Sequence, residues 1–538
     1  MRGTADDAGL PEAGAQLWMV RAMGAISLAT LASRLLGFLR DVTVAHAFGA
    51  GLLTDAFFVA FRIPNLLRRL LAEGALATAL IPVFTEFLTV RSREEFNRML
   101  RAVAGGLLVA LSLAILLGIL LAPWLVRIMA PGFAADPEQV GLAIRLTRLM
   151  FPYLLFVGLA ALAMGVLNVH RRFFTSALGP AVLNVGMIAA VFLLAPRLEV
   201  PIQGLAFGVL AGGLGQFLIQ LPEVRQTGVP LLPSAEFSHP ALGRVARLLG
   251  PSVFGLAAVQ LNVFVNTLLA SLLATGSISY LYYADRVVQF PLGVFGIAVA
   301  TATLPSMAEQ ASRRDLAALV RTLNFALRLS CFVAIPASVG LIMLRLPITR
   351  LLFERGQFGA AETQATAWAL AFYALGLTAF SGTRIAAQVF YALGDPRTPV
   401  QIGIGAVVVN VLFALAFMRP LAHGGLALAA SGASTANLAG LLWLLRRRLG
   451  PLGGRRLATS LALTAGATLL MALWCWLVLG WWPAEASPWT DAGWLGAAIG
   501  GSLVLYALIS AGAKSDEWAA LTALASRRRP LLPPEASG

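Results

Sequence analysis

The chain has 538 residues, of which 59% are hydrophobic and only 12% charged, with a mean hydropathy of +0.81. A soluble globular domain carries roughly 25% charged residues. This composition therefore excludes an ordinary soluble protein and leaves an all-α membrane bundle with room for roughly twelve to fifteen crossings. The net charge of +15 rests on arginines at the ends of apolar runs, not beside polar and aromatic residues on a soluble face, which argues against nucleic acid as a partner.

In chain order, Met1 to Gln16 is acidic and rich in small residues, without the basic, apolar and cleavage regions of a secretory signal, so residues 1–19 are predicted to be a cytoplasmic tail and the first helix to be retained. Apolar segments bounded by charge or by Pro and Gly then follow at 20–48, 52–90, 97–130, 139–169, 174–196, 201–222, 241–274, 278–311, 316–349, 360–393, 398–418, 424–446, 457–481 and 492–513, which makes about fourteen spans. Alternate loops differ in charge. One set carries Arg91, Arg93 and Arg98; Arg171 and Arg172; Arg225, Arg244 and Arg247; Arg313, Arg314 and Arg321; Arg397; Arg446 to Arg448 with Arg455 and Arg456; and Arg527 to Arg529. The other set has few, so both termini are predicted to be cytoplasmic. The two cysteines, Cys331 and Cys475, lie inside apolar runs and read as packing residues.

An internal repeat is visible. ATALIPVFTE from Ala77 matches ATATLPSMAE from Ala300 (300 − 77 = 223), and nearly the same offset relates Arg62 to Arg286 and Phe133 to Phe358. Six helices duplicated in parallel give two lobes related by a pseudo-two-fold axis, at 20–225 and 240–449, with two further helices at 455–513 and a cytoplasmic tail at 514–538. Paired repeats about a midplane site are the architecture of alternating-access transporters.

Ionisable groups inside spans are costly unless they face a cavity or a partner. The first span carries Ser33, Arg34, Arg40 and Asp41. At 100° per residue Arg34 and Asp41 share a face, whereas Arg40 points about 120° away from Arg34. Gly37 lies between the arginines, and a bend there would aim both into one cavity; the alternative is a simple Arg–Asp pair along the helix. The second span repeats Asp55, Arg62 and Arg69 every seven positions, with Asn65 and Glu73 near the same stripe, implying a water-filled wall. The eighth span adds Asp285 and Arg286, followed by Gln289 and by Pro291, which can break the helix. Arg62 and Arg286, at equivalent repeat positions, would make a cationic centre suited to a diphosphate, unless each is neutralised by a neighbouring Asp. Arg384 in the tenth span reads equally as a cavity residue or a structural one.

Other chemistries are set aside. The Gly-x-x-x-x-Gly-Lys-Ser/Thr phosphate cradle is absent and the only lysine is Lys514. His46, His170, His239 and His423 are scattered at helix ends without metal-ligand spacing, so no metal and no cofactor is expected.

The segments SRLLGFLRD from Ser33, FGAGLLTDAFFVAFRIPNLLRRLLAEGA from Phe48, APGF from Ala130, YYADRVVQFPLGVFGIAVAT from Tyr282, LFERGQF ending at Phe358 and GDPRTPV from Gly394 resemble the signature segments of the MurJ (MviN) lipid II flippases. The resemblance thins to hydrophobicity alone in the last two helices. It implies the fold of the multidrug/oligosaccharidyl-lipid/polysaccharide exporter superfamily and a substrate site formed by Ser33, Arg34, Arg40, Asp55, Arg62 and Arg286, with Asp41 and Asp285 as neighbouring charges; the residues themselves add Arg69 and Arg384 as supporting charges and Gly37 as a hinge. It also implies a groove for the polyprenyl tail on the last two helices, lipid II and membrane lipids as ligands, and contact with the cell-wall synthesis machinery. The location implied is the bacterial cytoplasmic (inner) membrane.

The expected mechanism is alternating access without covalent chemistry, driven by the substrate gradient, the membrane potential or a monovalent cation. The first alternative is an exporter of another lipid-linked oligosaccharide or of drugs on the same fold, and a drug-cation exporter would prefer acidic and aromatic cavity walls. A membrane-embedded transferase acting on a polyprenyl diphosphate would need clustered carboxylates, and no such cluster stands in the spans.

Overall fold

The computed structural model describes residues 12–69, 76–483 and 487–525, and among these every regular element is helical. Glu73, the loop at Ala484 and Arg527 to Arg529 lie outside the described residues. By internal packing the chain divides into two compact units, Met1–Gly276 and Ser277–Gly538.

The first unit contains α1 (Glu12–Phe48), α2 (Leu52–Arg68), α3 (Leu76–Val90), α4 (Arg93–Met129), α5 (Pro137–Met150), α6 (Tyr153–Val169), α7 (Phe174–Ala177), α8 (Gly179–Leu193), α9 (Ile202–Leu218), α10 (Leu221–Gln226) and α11 (Pro240–Ser271). Helices α8 and α9 run in close contact because small residues let their backbones approach: a Cβ on Gly208 would lie 2.9 Å from Met187 Cα, and one on Gly212 2.8 Å from Leu183 Cα. Small residues four apart are the usual means of packing helices in lipid, where no hydrophobic drive separates helix from solvent. Helix α11, which the sequence places at the start of the second lobe, packs against α3 and α4 of the first unit. Two ion pairs help to fix it and the chain leading into it: Arg244–Glu86 at 2.6 Å and Arg98–Glu236 at 2.5 Å.

The second unit contains α12 (Ser277–Pro291), α13 (Ile297–Ser312), α14 (Leu316–Met343), α15 (Arg345–Phe353), α16 (Ala360–Leu375), α17 (Leu377–Ala392), α18 (Arg397–Leu421), α19 (His423–Leu449), α20 (Gly454–Trp481), α21 (Pro488–Gly512) and α22 (Asp516–Ala525). A π-helical turn, Leu292–Gly296, separates α12 from α13 directly after Pro291. Proline has no N–H to donate to the helix ladder, and π-turns absorb such an irregularity. The core of this unit gathers Leu319, Leu323 and Ala326 of α14 against Ile385, Val389 and Phe390 of α17 and Leu441 and Leu445 of α19.

Among the described residues nine helices or helix pairs are long and apolar enough to cross a membrane, and α16 with α17, bent by 41° at the break between them, makes a tenth. The sequence repeat falls on corresponding elements. The matched decapeptides lie in α3 and α13, each with a proline inside the helix, Pro82 and Pro305 (305 − 82 = 223). Arg62 stands on α2 and Arg286 on α12.

Candidate substrate site

In the first unit, α1 runs as one α-helix through Gly37. Its two arginines have different surroundings. Arg34 is exposed. Arg40 is 8% exposed and Asp41 2% exposed; Arg40 donates from Nε and Nη2 to Asp41 Oδ1 at 3.0 and 2.6 Å and from Nη1 to Asn184 Oδ1 of α8 at 3.0 Å. Asn184 Nδ2 in turn donates to the Ser33 carbonyl at 3.2 Å, and a Cβ on Gly37 would stand 3.3 Å from that same Nδ2. Gly37 thus gives Asn184 room to lie against α1 and hold Arg40. The pair on this helix is between sequence neighbours Arg40 and Asp41, and the guanidinium they bury braces α1 against α8.

On α2, Asp55 is 2% exposed and its Oδ2 accepts the backbone N–H of Gly276 at 2.6 Å. Gly276 has φ +94°, so the carboxylate closes a turn that glycine accommodates readily. Two helical turns on, half-buried Arg62 donates to the hydroxyl of Thr267 on α11. Thr267 is fully buried and donates to the Val263 carbonyl at 2.7 Å. Arg68 donates to Asn65 Oδ1 at 2.8 Å, while Arg69 is exposed. The polar stripe of α2 thereby brings Asp55 and Arg62 to α11 and the loop that follows it.

In the second unit, α12 holds half-buried Arg286, whose Nη2 donates to Tyr282 Oη at 3.0 Å and whose guanidinium carbon lies 5.0 Å from the centre of the Tyr282 ring. One turn apart on a helix puts these side chains on one face, and the cation over the ring is attracted by its π face. Asp285 accepts from Gln289 Nε2. Arg384 of α17 is exposed. Among the described residues no group of three or more His, Cys, Asp or Glu is placed to hold a metal ion.

Sequence reasoning passed over three polar residues that the fold puts to use. Asn184 and Thr267 carry no charge to draw attention inside an apolar run, and only their partners reveal them. Arg328 was visible as a charge in ALRLSCFVA, but its partners, Asp516 and Glu517, lie 188 and 189 residues on.

Outside the spans the loops carry ordinary surface electrostatics. Asp395, in the turn between α17 and α18, accepts from Thr398 Oγ1 and Arg448 Nη1, both at 2.6 Å, which holds its carboxyl down at about 2. The hydrogen bond from Arg98 likewise lowers Glu236.

Residues 44–490 match the protein family described as lipid II flippase MurJ. The chain is 37% identical over 477 residues to the lipid II flippase MurJ of Burkholderia cenocepacia, covering 87% of this chain and 92% of that protein. It is 38% identical over 421 residues to the probable lipid II flippase MurJ of Vibrio cholerae, covering 77% and 80%. Its fold is similar to a solved lipid II flippase MurJ in an inward closed conformation, with a TM-score of 0.75 at 25% identity over 94% of this chain and 99% of that one. A multidrug resistance transporter of the MATE family, in the MOP superfamily, shares the fold at a TM-score of 0.65 and 16% identity over 78% of this chain and 95% of that one.

Proposed function

The chain belongs to the lipid II flippase MurJ family, and from that premise we propose that it translocates lipid II, the undecaprenyl-diphosphate-linked peptidoglycan precursor, from the inner to the outer leaflet of the bacterial cytoplasmic membrane. It is a transporter rather than an enzyme. The observation that carries this reading is the family match across residues 44–490, which takes in α2, α12 and α17 with Arg62, Arg286 and Arg384. The MATE likeness is one of fold, and fold alone does not fix cargo.

Fourteen spans are part of the same proposal. Among the described residues ten crossings are long and apolar enough when the bent α16–α17 pair counts as one. The four remaining spans of the sequence reading correspond to α1, α2 with α3, α11, and α12 with α13. Three of these carry the intramembrane charges: Arg34, Arg40 and Asp41; Asp55 and Arg62; and Asp285 and Arg286. A span that lines a polar path forfeits apolar character on that face, which supports counting them as crossings. An even count keeps both termini on the cytoplasmic side, and the arginine-rich loops agree. By the sequence repeat these spans form two six-helix lobes with two helices added, although α11, the first helix of the second lobe, packs in the first unit.

Arg34, Arg62 and Arg286 bind the diphosphate, because planar guanidinium groups meet phosphate oxygens in paired hydrogen bonds. Ser33, Asp55, Arg69, Asp285 and Arg384 shape the surrounding field, and Arg40 with Asp41 holds α1 in place. Transport proceeds by alternating access, with the headgroup released outside while the tail stays in lipid. The substrate gradient, the membrane potential or a monovalent cation supplies direction, and one charge moved through 100 mV is worth about 2.3 kcal/mol.

The test is outer-leaflet exposure of lipid II in cells depleted of their own flippase and supplied with this chain. Restored exposure supports the reading; no exposure from well-expressed, membrane-inserted protein contradicts the assignment of cargo.

A further inference from the structure

The last two long helices are held to α14 and α15 of the second unit at three levels. Where α20 begins and α21 ends, Arg328 of α14 donates from Nε to Glu517 Oε1 at 2.5 Å and from Nη2 to Asp516 Oδ2 at 2.7 Å. Ser460 Oγ of α20 donates to the same Glu517 oxygen at 2.8 Å. One turn further along α14, Tyr506 Oη of α21 donates to the Phe332 carbonyl at 2.7 Å, with the two rings 5.0 Å apart. At the far end, Arg350 Nε of α15 lies 3.5 Å from Asp491 Oδ2, and Trp482 Nε1 donates to Asp491 Oδ1 at 2.9 Å. Between those levels Leu344 packs with Cys475, Val478, Leu495 and Ala498.

The first of these levels depends on a fold-back written into the local sequence. Helix α21 ends with Lys514 at φ +49°, and Ser515 N–H reaches back to the Ser510 carbonyl at 3.1 Å. That six-to-one bond around a left-handed residue ends a helix and redirects the chain. Ser515 then caps α22, its Oγ accepting from Trp518 N–H at 3.3 Å. Asp516 and Glu517 occupy the first turn, where the helix dipole favours negative charge. Trp518 and Leu521 pack on Phe332, Ala467 and Tyr506. The fold-back carries Glu517 to 2% exposure beside Arg328, itself 8% exposed.

We propose that Arg328 and Glu517 form a latch by which the C-terminal helix α22 fixes the α20–α21 hairpin to α14, so that hairpin and α14 move as one body during transport. Separating the two groups would leave a guanidinium and a carboxylate each buried without its partner, which is the costly way to break such a pair, whereas replacing both by apolar residues of similar volume is tolerated. Arg328 is a positioning residue here and touches no cargo. The latch is independent of what is carried.

The experiment uses the full chain, purified and reconstituted, with Cys331 and Cys475 changed to Ala and spin labels on cysteines placed at Phe325 of α14 and Leu470 of α20, both exposed. With the latch intact, the label-to-label distance is expected to be single and narrow, with and without added lipid II. Arg328→Met is expected to broaden it toward longer distances and to slow lipid II exposure severalfold, and the paired change Arg328→Met with Glu517→Met to restore both. A narrow distance that persists in Arg328→Met overturns the latch. Should that variant fail to accumulate, Glu517→Gln and a chain ending after Lys514 replace it: broadening in both supports the latch, and an unchanged narrow distance in the truncated chain overturns it. Failure of the wild type to expose lipid II would count against the cargo assignment alone, because the distance measurement needs no transport.

Discussion

Two buried arginines, one in each unit, solve the same problem in different ways. Arg40 and Arg328 are both 8% exposed within long helices; Arg40 is held by a carboxylate and an amide oxygen, Arg328 by two carboxylates. Arg40 finds its carboxylate in the next residue, Asp41, and reaches the amide of Asn184 on α8. Arg328 finds its carboxylates nearly two hundred residues away, on a helix that reaches it only because α21 folds back at Lys514. A local pair braces one helix against its neighbour; a distant pair ties together parts of the chain that sequence separates. Arg34, exposed on the same helix as Arg40, shows the contrasting case of a guanidinium left accessible.

The comparison can be broken most forcefully at the distant pair. Arg328→Met leaves Glu517 buried with Asp516 beside it, and removing one member of a buried pair costs about 3 to 5 kcal/mol; the expected outcome is a large fall in the thermal midpoint of purified protein, recovered when Glu517→Met is added. Arg40→Leu strands Asp41, its own sequence neighbour, and loosens α1 from α8 without releasing a distant segment, so its loss of midpoint should be smaller than that of Arg328→Met, and the reverse order would mean that the local pair is the stronger brace. Asn184→Leu removes the acceptor for Arg40 and the donor to the Ser33 carbonyl while leaving the Arg40–Asp41 pair, for an expected cost of about 1 to 3 kcal/mol in the same thermal measurement. The exposed pair Arg448–Asp395 provides the low end of the scale. The folded carboxyl of Asp395 sits at about 2, below its ordinary 3.8, so its stabilising contribution is fully present above about pH 4 and is lost as pH falls toward 2. The midpoints of wild type and Asp395→Asn should therefore differ slightly at neutral pH and converge across that interval.

The same contrast explains what could be read in the amino acids. The apolar runs mark α4, α14 and α18 to α21 because apolar helices of that length fit a bilayer. Charge inside such runs singles out Arg34, Arg40, Arg62 and Arg286, and the 223-residue repeat relates α3 to α13 from the amino acids alone. Pro291 marks the break between α12 and α13. What escaped reading depends on contacts across the chain. Nothing in VLNVGM announces that Asn184 will lie against Gly37, and nothing around Thr267 announces Arg62. Helix α11 packs within the first unit through Arg244–Glu86 and against α3 and α4, an attachment that a reading of apolar runs does not contain. Asp55 reads as a site charge, yet its geometry shows a carboxylate closing the turn at Gly276.

The most direct measurement is equilibrium binding of lipid II to purified wild type, Arg34→Ala, Arg62→Ala, Arg286→Ala and the paired variant Arg40→Leu with Asp41→Leu, each first shown to be folded by its thermal midpoint. If accessible arginines hold the diphosphate and the buried pair only braces α1, the three single variants lose affinity while the paired variant keeps it. Wild-type affinity in the folded single variants, or its loss only in the paired variant, would contradict that division.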